Sequence, residues 1–486
     1  MHRRHELNVW TAGCLAVVAT ALACSGGDGR QTSTASATGG DGGVVTATGM
    51  TATGGTAATA ATGSGTAGSS TGETTHPPKF DLGGAPDAGG ECGATNDAVL
   101  TGVVHAPNGE VPVSGALVYV TPNEPPGIPQ EVYCAKCQSL PDCTPFTFTE
   151  PDGSFSLPAP SGAGQYLTVV KGQFMRTSPL DIAPGNTALP ATVTDLPGVN
   201  DPANGLYIPK IALGMSSPDR FELILGKVGL GMVDGNDNLI PGTETFDAYD
   251  NSIDPAASGY NSKGPFVDLV LDPAALAQYH ILFVPCIGPS ALAAVQQDPT
   301  PLREWVAAGG RIYATDYAQQ WIETLFPDYQ TFNGEPGTPT PIGYFDSQAT
   351  VVDADLLAWL QALPDPLKDV NPLNGGGNTW PTLLNLPSVT IIENFTGIEL
   401  PLPDVWAPDG MGGQINVGHK AWLKGTWPGK GGLYPPAVMA QYGCGRLHFT
   451  SYHTVGTPHK GMIPQELVML YSILEVGVCQ EQVPEG

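Results

Sequence analysis

From about Leu206 to Cys479 short apolar runs alternate with amphipathic stretches, and that pattern leaves few architectures open. Strand and helix in turn imply a parallel sheet covered on both faces by its crossover helices. The run Ile208 to Leu213 reads as a buried strand. It is followed by Ser217 as a helix N-cap, Pro218 as first helical residue, an inward face of Phe221, Ile224, Leu225 and Val228, and Gly229 as the stop. The cycle returns in the strand Tyr279 to Val284, in a helix with Leu302, Trp305 and Val306 inward and Gly309 at its end, and in the strand Arg311 to Thr315. It closes with Arg446 to Ser451 and a last helix carrying Leu467, Leu470, Tyr471 and Leu474. Between about 327 and 434 the pattern is irregular, apart from one helix with Leu356, Leu360 and Leu363 on a face, and reads as a Pro/Gly-rich insertion or lid.

Upstream, residues 92–200 follow a different rule. Short alternating runs at Val99 to Val104, Gly115 to Val120, Gly153 to Leu157, Tyr166 to Val170 and Thr192 to Thr194 read as strands. Pro107-Asn108-Gly109 and Pro151-Asp152-Gly153 supply tight turns between them. The chain is therefore expected to be multidomain: an all-β sandwich at 92–200, then an α/β doubly wound parallel sheet at 201–480.

The N-terminal segment reads as an export signal. Arg3 and Arg4 precede a short apolar run from Thr11 to Ala23, too short to span a bilayer stably. Ala21-Leu22-Ala23-Cys24 resembles the lipobox of bacterial lipoproteins, in which the cysteine is acylated after cleavage; here Ala21 stands where leucine is commoner. An ordinary A-x-A cleavage site that happens to precede a cysteine is the alternative. By the sorting rule of Gram-negative lipoproteins, Ser25 after the cysteine implies the outer membrane or cell surface. Residues 25–91, almost wholly Gly, Thr, Ala and Ser as far as Pro78, lack the apolar bulk to offset chain entropy. They are expected to form a disordered tether of roughly 40 Å. With 19 basic against 46 acidic residues and a net charge of -27, a nucleic-acid partner is not expected.

Two family resemblances lie in the body. The order Leu100-Thr101-Gly102-Val103, Gly115-Ala116-Leu117-Val118, Pro151-Asp152-Gly153-Ser154-Phe155 and Tyr166-Leu167-Thr168-Val169 resembles the carboxypeptidase regulatory-like domain, a transthyretin-like sandwich. That likeness implies a structural or binding role and no peptidase chemistry. An insertion between Thr121 and Phe148 departs from it. The stretches Tyr279 to Cys286, Leu302 to Gln320 and Gly445 to Thr454 resemble the class I glutamine-amidotransferase-like fold, which is flavodoxin-like. In that family a cysteine occupies a strained elbow after the strand matching Arg311 to Thr315. Here the place holds Asp316, the elbow glycine is missing, and the family's histidine matches His453. The likeness then implies a surviving base without its thiol nucleophile, and amide transfer is not expected. The two domains together also resemble bacterial surface lipoproteins of unassigned activity.

Ligands of open parallel sheets sit beyond the carboxyl ends of the strands. Cys286, Asp316 and His453 follow such ends, as do Ser216 and Asp219, so a Cys286–His453 dyad oriented by Asp316 is one reading. The other makes Cys286 a buried thiol or half a disulfide, Asp316 a helix cap and His453 a loop closure. Seven cysteines besides Cys24 follow the apolar segment: Cys92, Cys134, Cys137, Cys143, Cys286, Cys444 and Cys479. Disulfides are the default expectation in an exported chain, with zinc at Cys134, Cys137 and Cys143 as the alternative. Asp234-Gly235-Asn236-Asp237-Asn238 has alternating oxygens, yet lacks the glycine and the final acid of a calcium loop and reads as a turn. Trp380, Trp406, Trp422 and Trp427 either stack on sugars or pin the insertion to the core. No cofactor is expected. The functional expectation is a membrane-anchored, non-catalytic protein that binds a glycan, small molecule or protein. A hydrolase using Cys286 or Asp316 with His453, and a structural envelope protein, are the alternatives.

Overall fold

The computed structural model describes residues 95–476, apart from 136–139, 218, 287–288, 336–337, 340–341, 376–378 and 409–412. The expectations for the signal segment, Cys24, the tether, Cys92, Cys137 and Cys479 lie outside the described residues.

The first part of the body consists of two sheets. Its strands are β1 (Ala98–Val103), β2 (Leu117–Thr121), β3 (Phe146–Phe148), β4 (Ser154–Ala159), β5 (Gly162–Lys171), β6 (Phe174–Ile182), β7 (Gly185–Ala188) and β8 (Leu206–Tyr207). One sheet has the order β4-β1-β7, the other β3-β2-β5-β6-β8. Period-two burial places Leu100, Phe155, Leu157, Val118, Val120, Leu167 and Val169 inside. The expected strand Thr192 to Thr194 is instead a helical turn, Ala191–Thr194. Pro190, with φ -78°, starts it, and the Thr194 hydroxyl docks it by donating to Val103 O at 2.7 Å. Local bonding wins over a three-residue alternation too short to hold a strand.

The second part holds β9 (Ile211–Met215), α1 (Phe221–Val228), β10 (Asp247–Asp250), β11 (Ser262–Pro265), α2 (Phe266–Leu271), β12 (Ile281–Val284), α3 (Pro289–Gln297), α4 (Thr300–Ala308), β13 (Arg311–Thr315) and α5 (Gln319–Leu325). The insertion adds β14 (Phe345–Val351), α6 (Ala354–Ala362), β15 (Ser388–Asn394), β16 (Lys420–Ala421) and β17 (Leu423–Gly425), and the chain closes with β18 (Ala437–Tyr442), β19 (Gly445–Thr450) and α7 (Pro464–Val476). The main sheet runs β11-β10-β9-β12-β13-β19-β18-β16. The pairs from β11 to β19 are parallel, and β18 and β16 join antiparallel, so the sheet is mixed rather than wholly parallel. The turn Gly443-Cys444, with Gly443 at φ 53°, folds β18 directly onto β19 and leaves no crossover to make that pair parallel. The insertion is not irregular either: β15-β14-β17 form a separate antiparallel sheet beside α6. Trp380, Trp422 and Trp427 are buried in or beneath it, which leaves Trp406, 52% exposed, as the one of the four with a sugar-accessible face.

A single buried cluster runs from Leu100 and Leu157 through Leu213, Phe283 and Tyr313 to Trp359 and Leu470. Polar ties cross it: Lys171 Nζ lies 2.5 Å from Glu475 Oε1, and Trp359 Nε1 donates to Pro112 O at 2.8 Å. The Cys134–Cys444 disulfide joins the segment after β2 to the β18–β19 turn, over a sequence separation of 310. Beside it Gly309, the α4 C-cap at φ 129°, faces Tyr133 O, which would lie 2.0 Å from an added Cβ. Gly309→Ala should therefore cost roughly 2 kcal/mol or more, since strain and clash act together. Chemical denaturation measures it, and an unchanged midpoint would refute the close approach.

His280 makes a further tie. Its Nδ1 accepts from Lys210 N–H at 2.8 Å, and its Nε2–H faces Pro129 O and Glu131 O, each at 3.0 Å. Burial, with the Arg311 charge, pushes His280 down to about 4, and burial pushes the fully enclosed His448 down to about 3. Both rings fold neutral but take up protons near pH 6.5 when unfolded, so the unfolded chain binds more protons between those values. Stability should be level above about pH 6.5 and fall as pH drops toward 4, by on the order of 3 kcal/mol for each ring. Unfolding across a pH series checks this; His280→Gln should flatten part of the slope.

Candidate functional site

The carboxyl ends of β9, β12, β13 and β19 are tied to one carboxylate. Asp219, 1% exposed, follows β9 and accepts from Thr454 N at 3.0 Å and Thr454 Oγ1 at 2.6 Å, and from the Thr315 hydroxyl. Cys286 N–H points at the same carboxylate from 3.5 Å and at Thr315 Oγ1 from 3.1 Å, while Ser216 Oγ donates to Cys286 O at 2.7 Å. Cys286 is thus held by its backbone, with its thiol fully buried.

Asp316, the next residue after β13, has φ 47° and no exposure. A non-glycine residue in the left-handed region, at the start of a helical turn, is held there by its surroundings at a cost of about 1–3 kcal/mol. His453 follows β19 and is 2% exposed; its Nε2 lies 3.7 Å from Asp316 Oδ2. The other ring nitrogen, Nδ1, faces Thr454 O at 2.7 Å and Glu393 Oε2 at 3.4 Å. Both of these accept, so Nδ1 carries the hydrogen, and in the neutral ring Nε2 is a bare acceptor. Nε2 makes no hydrogen bond among the described residues. His453 Nε2 and the Asp316 carboxylate thus stand 3.7 Å apart, within ion-pair range and beyond a direct hydrogen bond.

Glu393 lies within β15 near its end, also left-handed at φ 57°, with its side chain 34% exposed. Burial pushes its carboxyl up, and the His453 ring opposes that shift. The sequence reading did not single it out; the only cue was an acid near the end of the run Val389-Thr390-Ile391-Ile392. Tyr344, 50% exposed, sets its ring 5.9 Å from His453 and 5.1 Å from Phe395, whose other neighbour is Tyr317 at 5.8 Å. One wall of the centre is aromatic and the floor acidic.

Other candidates resolve differently. Cys134 is bonded to Cys444, and Cys143 is also in a disulfide, so neither thiol ligates zinc. Among the described residues no group of His, Cys, Asp and Glu is arranged to hold a metal ion. Asp234 Oδ1 spends its lone pairs on Asn236 N at 2.8 Å and Asn238 N at 3.0 Å, the bonding of a turn. A second buried cluster, Lys227, His459 and Glu466, lines a small pocket with about 10 Å³ of room that shares Thr454 with the Asp219 hub. Its groups already satisfy one another: Glu466 Oε2 takes Ile463 N–H at 3.1 Å, and Lys227 Nζ lies 3.3 Å away. Among the described residues no helix is long and apolar enough to cross a membrane.

No family model matches the chain, and no curated protein matches it. Solved structures align with it at low scores. A ThuA-like protein from Bacteroides uniformis aligns at 9% identity over 54% of this chain and 89% of its own, with a TM-score of 0.26. A cytoplasmic protein from Salmonella typhimurium aligns at 12% identity over 45% of this chain and 82% of its own, with a TM-score of 0.24. A β-galactosidase from Rahnella sp. R3 aligns at 12% identity over 57% of this chain, with a TM-score of 0.24. The chain spans 32% of that enzyme and 30% of another β-galactosidase with which it aligns.

Proposed function

We propose that this chain is an exported lipoprotein, anchored through Cys24, whose mixed α/β body receives a small polar ligand at Asp316, His453 and Glu393 and performs no amide transfer. A transthyretin-like sandwich as spacer and a flavodoxin-like ligand domain are the finer architecture that goes with it. The observation that carries the ligand reading is the buried His453 Nε2, aimed at Asp316 Oδ2 across 3.7 Å without a hydrogen bond. Buried polar atoms in folded proteins are usually paired, and this one stands beside two carboxylates, Asp316 and Glu393, and the half-exposed Tyr344 ring. Loss of amide transfer follows from Asp316 at the elbow, since a carboxylate there gives no thioester route.

Two experiments test the two halves. Cys24→Ser should move the protein from the membrane to the soluble fraction, and unchanged retention would refute the anchor. A thermal-shift screen of amines, polyols and carboxylates should find a ligand whose effect vanishes in His453→Phe; shifts that persist in the variant would place binding elsewhere.

The left-handed backbone at Asp316 favours a second reading, hydrolysis. There an Asp316 oxygen bonds to the acyl carbon of an ester and the alkoxide leaves, giving an anhydride; water then attacks the Asp316 carbonyl carbon while His453 Nε2 takes its proton and passes it to the alkoxide, and the substrate's carboxylate departs. Turnover of p-nitrophenyl esters in H2(18)O should then place the heavy oxygen in the Asp316 peptide. No ester cleavage above the His453→Phe background removes this reading.

A further inference from the structure

His453 is 2% exposed, yet solvent lies one side chain away from its ring. Of the four residues already placed against that ring, Asp316 and Thr454 are buried, whereas Glu393, 3.4 Å from Nδ1, and Tyr344, its ring centre 5.9 Å away, both reach solvent. Tyr344 meets the imidazole edge-on, at 82°, and also rests on Phe395, 5.1 Å away and buried. The backbone that carries Tyr344 is pinned on both sides: Ile342 N–H donates to Phe395 O at 3.0 Å, and Phe345 opens β14, paired with Asn394. Gly343, at φ 88°, makes the turn between the two pins. A half-exposed ring on a pinned backbone moves by rotation about its own side-chain bonds, a fast motion at a protein surface.

We propose that Tyr344 is a movable cover over the centre: its ring closes the approach to His453 in this structure, and rotation of that one side chain opens the approach between Glu393 and Phe395. What the cover serves rests on the reading of the centre as a ligand site; that it covers and moves does not. Two ring contacts, with His453 and Phe395, hold it shut. Aromatic contacts are individually weak, so the closed arrangement is favoured and the open one is a minor state populated at ordinary temperature. Such a cover reconciles a buried imidazole with a site that a ligand enters: closed, it keeps bulk water off His453, and a ligand in the opened space takes over the contacts the ring gives up. Tyr344 also stands apart from the buried floor, whose bonds run from Asp219 to Thr315 and Thr454, so its truncation leaves that floor in place.

The test is deuterium exchange from heavy water at the imidazole carbon between the two ring nitrogens, read for each histidine by peptide mass spectrometry on the full-length chain in detergent. Wild-type His453 should exchange slowly but measurably, Tyr344→Ala should speed it by about tenfold or more, the weight of two lost ring contacts, and Tyr344→Phe, which keeps the ring, should match the wild type. His448, fully buried between Tyr313 and Trp422, is the internal control and should exchange alike in all three chains. Equal His453 rates in the wild type and Tyr344→Ala overturn the cover. Tyr344→Phe as fast as Tyr344→Ala overturns the ring as the closing element. A wild-type His453 that takes up no deuterium while Tyr344→Ala exchanges fully shows a fixed plug and overturns the motion. Faster exchange at His448 as well as His453 in Tyr344→Ala also overturns the cover, because the ring would then be holding the fold rather than shielding one residue. The exchange needs no ligand, so the two readings fail separately. A confirmed cover with no ligand found removes the ligand site alone, and a ligand lost in His453→Phe with equal exchange in all three chains removes the cover alone.

Discussion

Glu475→Gln should lower the unfolding free energy by about 3–5 kcal/mol, a large share of what holds a body of this size together. Lys171 is 4% exposed and its ammonium meets Glu475 at 2.5 Å, so removing the carboxylate charge strands a buried cation. Burial works to raise the Glu475 carboxyl, and Lys171, with Lys420 and Arg446, more than offsets it, leaving the group below the ordinary carboxylate range. The sign follows: the stabilisation is present above the unfolded carboxylate pKa and is lost as pH falls through the lower folded value. The double variant Lys171→Met/Glu475→Leu should recover most of the loss, because a well-packed apolar pair avoids the desolvation cost altogether. Urea denaturation of the wild type and the two variants decides it. A single variant as stable as the wild type would mean that water reaches the pair.

Cys134→Ser should cost about 2–4 kcal/mol, and reductant added to the wild type should cost at least as much, since it also opens the disulfide of Cys143. The bond closes a sequence separation of 310 residues, so opening it frees the unfolded chain more than a short loop would. It also clamps the segment around Tyr133 against Gly309, which lies at the foot of β13, the strand that carries Asp316. Loss of the bond should therefore be felt in the centre's geometry as well as in the unfolding midpoint. Equal midpoints with and without reductant would show that the tertiary contacts alone suffice.

How much of this was legible in the sequence differs from element to element. Arg311 to Thr315 was read to the residue, because a β-branched and aromatic run flanked by Gly309-Gly310 and a helical turn leaves little choice. Gly229 and Gly309 were read as helix stops and adopt the positive φ expected of them. The helix start read at Ser217 comes too early, since α1 begins at Phe221 with Arg220 at the N-cap position and Asp219 bonded to Thr454 and Thr315; Pro218 lies outside the described residues. The insertion was read as irregular because β14 and β15 lie 36 residues apart with α6 between them, and pairing at that range leaves no local signature. Its buried Val389 and Ile391 carry the alternation, yet nothing in the sequence names the partner strand.

The candidate centre divides along the same line. Asp316 and His453 could be named because each follows a strand end of a recognisable unit. Glu393 could not, because it arrives from the insertion's own sheet and meets His453 only through the fold. The left-handed backbone at Asp316 was equally out of reach, since no glycine stands there to mark it.

The most direct test of the centre is the 15N spectrum of the His453 imidazole in the full-length chain, recorded with and without a ligand found by the thermal-shift screen. The expected result is a protonated Nδ1 and a bare Nε2 in the free protein, with Nε2 moving on ligand addition and no such change in Asp316→Asn. A free-state ring protonated on Nε2 instead, or an Nε2 resonance that no ligand moves, would contradict the account.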